Sequence, residues 1–200
     1  MRPLHLTALA LVLLTVPLVE LAHAQRPGPR PRRTVDFDFE EPRTRLEEFE
    51  RRIETVLIRG WTTVGPIEGL SSIRIQALEL RDVGNNSVAL GVVITLRDTS
   101  VQPTLERRAL VDYEDIAPLI KSLDLVARAD STITKHTRFE ASYHTRGGLE
   151  VRVFRQTSGG IASAVSAGDF ERLTIFLSLD ELAKVRALIL EARAKLDELK

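Results

Sequence analysis

The sequence predicts an α+β fold, a largely antiparallel sheet made from two strand-strand-strand-strand-helix (ββββα) units with helices packed against it. Three observations predict this fold: four segments of alternating apolar residues precede an amphipathic helix, the same order then recurs, and turns rich in glycine or asparagine separate neighbouring segments. We expect a single α+β domain over residues 43–200, with pseudo-repeats at about 53–129 and 135–200.

A short amphipathic helix precedes the first set of strands. Leu46, Phe49 and Ile53 are spaced by three and four with charged residues between them, which is typical of a helix with one apolar face. The period changes to two at residues 56–59, which indicates a strand, and the Gly-Pro pair at residues 65–66 predicts a turn.

The rest of the first unit contains three more predicted strands. Trp61, the sole tryptophan, is predicted to close the core and not to bind a ligand. Apolar residues in segment 73–80 occupy both phases, which implies either a bulge or a strand buried on both faces. Residues 88–96 predict a central strand covered on both sides, and a fourth strand is predicted at residues 105–111.

The helix that ends the first unit carries an apolar stripe at helical spacing. Its members are Ile116, Leu119, Ile120, Leu123 and Val126. Asp112 is placed to cap this helix. Pro118 is compatible only with a first helical turn, so we expect the regular helix to begin near Asp115.

The second unit repeats the order of the first. Its strands are predicted at residues 136–145, 149–153, 161–167 and 173–177. Alternation in the first of them directs Phe139, Ala141 and Tyr143 inward. Ser178 with Glu181 matches a capping box, which predicts where the final amphipathic helix begins.

The first 24 residues have the pattern of a signal peptide. Arg2 provides a positive start, residues 6–16 provide an apolar run, and residues 22–24 (Ala-His-Ala) place small residues before a cleavage site at Gln25. The apolar stretch is shorter than the roughly 20 residues that span a bilayer. We therefore expect an exported protein, periplasmic or extracellular, without a transmembrane segment after cleavage.

Residues 25–42 are predicted to form a flexible tether rich in proline and arginine. The chain as a whole is balanced, with 28 Lys+Arg against 28 Asp+Glu. A balanced chain has no global field that attracts nucleic acid or an anionic surface, so local patches decide such binding. Whether the basic tether binds anything stays open at this point.

Two resemblances bear on the fold and the function. The segments VDYEDI, FEASYHTRGGLEVRVF and FLSLDEL resemble exported bacterial proteins without an established function, across roughly residues 46–200. That resemblance implies no activity. The order of elements is also similar to the Whirly and PUR type of single-stranded nucleic-acid binders, in order alone and not in motif. This second resemblance implies binding across a basic sheet that bears aromatic side chains.

Predicted strands of the second unit carry the surface candidates for binding. These residues are Arg138, His144, Arg152 and Phe154. Glu140 and Glu150 are interleaved with the arginines and cancel their field, so nucleic acid is disfavoured as a partner.

No catalytic, cofactor-binding or metal site is predicted. The sequence has 0 Cys, which excludes disulfides, thiolate nucleophiles and cysteine-ligated metals. His136 and His144 lie on the same predicted strand, with Glu140 midway between them. Residues four apart on a strand are separated by roughly 13 Å, whereas zinc ligands lie about 2 Å from the ion. These three residues are therefore too far apart to bind one zinc ion. The sequence also lacks the nucleotide-binding, zinc-protease and hydrolase motifs.

The sequence thus predicts a noncatalytic binding or interaction module without a cofactor, whose partner is an unknown protein, an envelope polymer or a small ligand. The alternative is an enzyme with a motif-free site near Tyr143, His144 or the acidic residues of 112–115. A second alternative is single-stranded nucleic-acid binding. The sequence leaves open the oligomeric state and whether the two units form one sheet or two.

Overall fold

The computed structural model describes residues 41–130, 132–168 and 171–200. The predicted signal peptide at residues 1–24 lies outside the described residues, and so does the predicted tether up to residue 40. Within the described ranges, no helix is long and apolar enough to cross a membrane.

The described chain forms three helices and eight strands. In chain order they are α1 (Arg45–Glu50), β1 (Leu57–Ile67), β2 (Ser71–Asp82), β3 (Ser87–Asp98), β4 (Leu105–Asp112), α2 (Tyr113–Ala127), β5 (Glu140–His144), β6 (Leu149–Arg155), β7 (Ile161–Ala167), β8 (Leu173–Leu177) and α3 (Leu179–Asp197). Strands β1 to β4 pair in sequence order as one antiparallel sheet, sheet A, and strands β5 to β8 pair likewise as sheet B. The predicted α+β fold with two ββββα units is therefore confirmed, and the units form two sheets.

One apolar core joins the inner faces of both sheets to helices α2 and α3. Fully buried members from each layer include Ile75, Ile94, Leu119, Val153 and Ile189. The capping box predicted for the last helix is present, because the Ser178 hydroxyl accepts from the Glu181 N–H and the Glu181 carboxylate accepts from the Ser178 N–H.

Strand β2 is buried on both faces. Ile73 and Ile75 belong to the shared core, whereas Leu78 and Leu80 pack on the opposite face beneath α1. The register between β2 and β3 is continuous along its whole length, so β2 itself has no bulge. Of the two interpretations of this segment, burial on both faces is the one that holds.

The turn predicted at residues 65–66 is wrong, because β1 continues through both residues. The Gly-Pro pair instead follows a register shift between Thr63 and Gly65. A Cβ at Gly65 would lie 2.8 Å from a methyl carbon of Leu188, so the glycine lets α3 pack closely against the strand.

Ile53 also differs from its prediction as part of the first helix. Helix α1 ends at Glu50, and the side chain of Ile53 is exposed.

Helix α2 begins earlier than predicted and contains Pro118 in its interior. The missing N–H of Pro118 would have bonded the carbonyl of Glu114. Both residues are exposed, so water can replace that donor and the helix continues.

The side chain of Asp112 does not cap α2, contrary to the prediction. Its carboxylate oxygens accept from the backbone N–H groups of Arg45 at 2.8 Å and of Leu46 at 3.0 Å. These are the first two residues of α1, whose N–H groups have no partner within the helix. Asp112 therefore attaches α1 to the end of β4.

Asp82 holds the segment between α1 and β1. Its carboxylate accepts from the Thr55 hydroxyl at 2.6 Å, from Arg52 at 2.8 Å and from the Gly84 N–H at 2.9 Å. These hydrogen bonds hold the pKa of Asp82 below its ordinary value, and the bond from Thr55 has the largest effect. Burial acts in the opposite direction but is outweighed.

We expect the stability contributed by Asp82 to disappear in acid. Because the folded-state pKa lies below the unfolded one, the unfolded chain takes up the proton first as the pH falls, and the stabilisation present at neutral pH is lost below about pH 4. Urea unfolding of the wild type and of Asp82→Asn should show a large difference in unfolding free energy at neutral pH and a smaller one in acid. An equal difference at both pH values would contradict this account.

Candidate ligand-binding surface

Helix α1 covers only part of the outer face of sheet A. Leu46 and Phe49 of α1 pack on a second, smaller apolar cluster of the sheet. The sheet members of that cluster are Leu78, Leu80, Ala89, Val93 and Leu110. A helix of 6 residues is roughly 9 Å long, whereas strands of 12 residues extend roughly 40 Å. Much of the outer face beyond α1 is therefore left uncovered.

We call this uncovered part the open face. Strand alternation and the pairing registers place on it Trp61, Thr63, Arg74, Gln76, Thr95, Arg97, Glu106 and Arg108. Arg74 and Arg108 both lie opposite Thr95, one on each neighbouring strand. Directly opposite residues have Cβ atoms about 5 Å apart, and Arg97 follows Thr95 by two residues, about 7 Å along β3. Three arginine positions thus flank one threonine position.

The arginines of the open face differ in how they are paired. Glu50 of α1 forms ion pairs with Arg108 at 2.6 Å and with Arg59 at 3.0 Å. Among the residues that the structure describes, no carboxylate lies within 4.0 Å of the guanidinium of Arg74 or of Arg97. Both of these side chains are exposed. In the described part of the chain neither guanidinium is therefore engaged in an ion pair, although Glu106 lies opposite Arg97 in the pairing register.

Trp61 lies on the same face as these arginines and is 61% exposed. Its predicted place in the core is wrong, because Trp61 lies on an edge strand and does not belong to the apolar cluster beneath α1. Trp61 pairs with Leu78, four residues from Arg74 on β2. From the strand geometry, the Cα atoms of Trp61 and Arg74 are roughly 14 Å apart and those of Trp61 and Arg97 roughly 22 Å apart.

The predicted surface candidates lie in and beside sheet B. His144 on β5 and both Arg152 and Phe154 on β6 share its outer face, as the predicted alternation requires, and Arg138 is exposed just before β5. Phe154 meets Phe176 of β8 edge-to-face, with ring centroids 6.3 Å apart, and Phe176 is 70% exposed. These four residues stay surface candidates.

The charges on the outer face of sheet B neutralise one another. Glu150 is nearly buried and forms ion pairs with Arg172 and, at 3.5 Å, with Arg152. The His144 imidazole lies 3.6 Å from the same carboxylate, and Glu140 lies 3.7 Å from Arg152. In the part of sheet B that the structure describes, Arg152 and Arg172 both pair with carboxylates, whereas Arg138 at the border of this face is exposed and in no ion pair there.

The residues named for an enzymatic alternative have structural partners. The Asp112 carboxylate bonds the backbone of α1, and Asp115 lies 2.7 Å from Arg146, an ion pair that raises the pKa of that arginine. Tyr143 is half-buried against the shared core. Asp112 and Asp115 are thus engaged in holding neighbouring segments.

The sequence analysis did not single out Arg74 and Arg97 as binding residues. Each is a charged residue at an outward position of a strand that is otherwise largely apolar, as in the segment Ile73-Arg74-Ile75. Such a charge in a strand buried on both faces indicates a place where the covering layer ends. That signal could have identified both arginines.

Comparisons with known proteins identify no relative. No protein-family model matches the chain, and neither the curated proteins nor the solved structures include a significant match to it.

Proposed function

We propose that this protein is a noncatalytic binding module that takes an anionic ligand on the open face of sheet A. The observation that carries the proposal is the pair of exposed arginines, Arg74 and Arg97, without a carboxylate partner among the described residues. Arginine on a folded surface usually gains from a nearby carboxylate, phosphate or sulfate, which its planar fork binds through two hydrogen bonds.

The charge balance of the open face supports an anionic ligand. Four arginines (Arg59, Arg74, Arg97 and Arg108) lie on or beside it; Glu50 pairs with Arg59 and Arg108, and Glu106 lies opposite Arg97 in the register. On sheet B, by contrast, Glu150 already gathers the positive groups around it. Charge complementarity therefore favours sheet A as the binding surface.

The residue types of the open face support binding over catalysis. Guanidinium groups stay protonated at every physiological pH and donate hydrogen bonds without accepting protons. The threonine and glutamine side chains between them donate and accept hydrogen bonds, and Gln76 already bonds Thr63 at 3.1 Å. Such a surface attracts and orients an anion.

The double variant Arg74→Gln with Arg97→Gln tests this proposal. Each exposed ion pair contributes up to about 1 kcal/mol, so we expect the double variant to weaken anion binding by about 2 kcal/mol, or roughly thirtyfold. Titrations with polygalacturonate, inorganic polyphosphate and oligo(dT) at low ionic strength would measure it, and the wild type should bind at least one of the three. The affinity should fall as salt is added.

Arg138→Gln is the matched control, because Arg138 is an exposed arginine next to the other sheet. Binding to the wild type that Arg138→Gln weakens as much as the double variant does would contradict the proposal, since the attraction would then come from general charge. Failure of all three polyanions to bind the wild type would contradict it as well.

A further inference from the structure

We infer that the ligand of the open face is an acidic polysaccharide. Trp61 stacks on one of its sugar rings, and Arg74 and Arg97 pair with acidic groups further along the polysaccharide. This inference rests on the proposed function and names its ligand class. It brings together three features of the open face: the exposed indole, the polar strip beside it and the two arginines that form no ion pair in the described part of the chain.

The distance between these features calls for an extended ligand. Trp61 lies near one end of the open face, and roughly 22 Å of sheet surface separates its Cα from that of Arg97. A single phosphate, sulfate or sugar acid would reach only the arginines. A chain that engages both ends must be longer than a disaccharide and must follow the sheet diagonally from β1 to β3.

The indole of Trp61 provides a flat apolar surface in water. Its side chain is 61% exposed on an edge strand, where a ring can lie against it without displacing another element. Pyranose rings combine a face of C–H groups with a periphery of hydroxyl groups, so one face suits an aromatic side chain and the edges suit hydrogen-bonding groups.

The strip between Trp61 and the arginines suits a hydroxylated chain. Thr63 and Gln76 occupy the next cross-strand pair, followed by Arg74 opposite Thr95. Hydroxyl and amide groups can both donate and accept, which matches sugar hydroxyls. The carboxylates of an acidic polysaccharide are in turn the groups that a guanidinium binds bidentately.

The same face is less suited to a single-stranded nucleic acid. Binding of that kind stacks successive bases on several aromatic side chains along a positive groove. Among the described residues of the open face, Trp61 is the one aromatic side chain. A ligand that needs one stacking contact and a few paired charges fits this surface better.

The experiment uses a galacturonic acid hexasaccharide as the probe. Trp61 is the sole tryptophan, so its fluorescence reports directly on contact with the ligand. We expect the hexasaccharide to shift the emission and to bind at least tenfold more tightly than the disaccharide of the same acid. A neutral glucose hexasaccharide should bind at least tenfold more weakly than the acidic one.

Calorimetry then compares Trp61→Ala with Phe176→Ala. Both side chains are exposed aromatics on edge strands, on sheet A and sheet B respectively. Trp61→Ala should weaken hexasaccharide binding about tenfold, which is within the range found for an aromatic stacking contact, and Phe176→Ala should leave it unchanged. Thermal unfolding of both variants shows that each is folded.

The outcomes separate the inference from the proposed function. Suppose that the wild type binds the hexasaccharide, that the double arginine substitution lowers this affinity and that Trp61→Ala leaves it unchanged. The polysaccharide inference then fails, and the anion-binding function stands. The same holds if oligo(dT) or polyphosphate binds more tightly than the hexasaccharide. If no polyanion binds, both are overturned.

Discussion

Replacing Gly147 with alanine is expected to lower the free energy of unfolding by about 3 kcal/mol. A Cβ at this position would lie 1.8 Å from the carbonyl oxygen of Leu110, which is backbone and cannot rotate aside. The carbonyl of Gly147 also accepts from the Leu110 N–H at 3.0 Å, so β4 and the β5–β6 turn cannot separate without losing this bond. Chemical denaturation monitored by far-ultraviolet circular dichroism would measure the change.

Gly160→Ala is the matched control for this experiment. Gly160 lies in the β6–β7 turn, and the nearest atom to a Cβ there, in the flexible side chain of Gln156, is 3.5 Å away. We expect this substitution to leave the stability unchanged or to raise it slightly, because alanine reduces the freedom of the unfolded chain. Equal destabilisation by the two substitutions would show that the contact with β4 is not the cause.

Replacing Asp112 with alanine is expected to cost about 3 kcal/mol of unfolding free energy. The buried carboxylate bonds the first two N–H groups of α1, and alanine would leave both donors without their acceptor. The expected structural consequence is that α1 detaches from sheet A. Urea unfolding would measure the loss, and hydrogen exchange at Arg45 and Leu46 would locate it.

Two variants make the Asp112 prediction specific. Asp112→Asn keeps one side-chain oxygen acceptor, so it should fall between the wild type and the alanine variant. Asp115→Ala removes a partly exposed carboxylate whose partner is Arg146 and should cost less than about 1 kcal/mol. If Asp115→Ala were as destabilising as Asp112→Ala, the attachment of α1 would not explain the loss.

Local patterns were sufficient for most of the fold. Strand alternation identified the inward residues of β5, and the capping box at Ser178 located the start of α3. Both signals depend on contacts between residues close in sequence. The errors at Pro118 and at residues 65–66 are of another kind: each residue type usually ends an element, and here water or a neighbouring helix accommodates it.

The candidate surface could be predicted only in part. Alternation separated Arg97 from the face of Leu96, but the strand was predicted to be covered on both sides, and the pairing of β2 with both β1 and β3 is what brings Trp61 and Arg74 onto the same face. Asp112 shows the same limit, because its partners Arg45 and Leu46 precede it by more than sixty residues. Contacts over such separations leave no local pattern.

By itself, the sequence determined the class of fold, the order of the two ββββα units and the residues that alternate into the core, because the periods of strands and helices are local properties. Only the tertiary structure decided that the units form two sheets, that Asp112 serves α1 and that Trp61 faces water. The physical reason is that a period shows which residues share a face, whereas the layer that covers the face comes from a distant part of the chain. On sheet A that layer is the six-residue α1, and where it ends the open face begins.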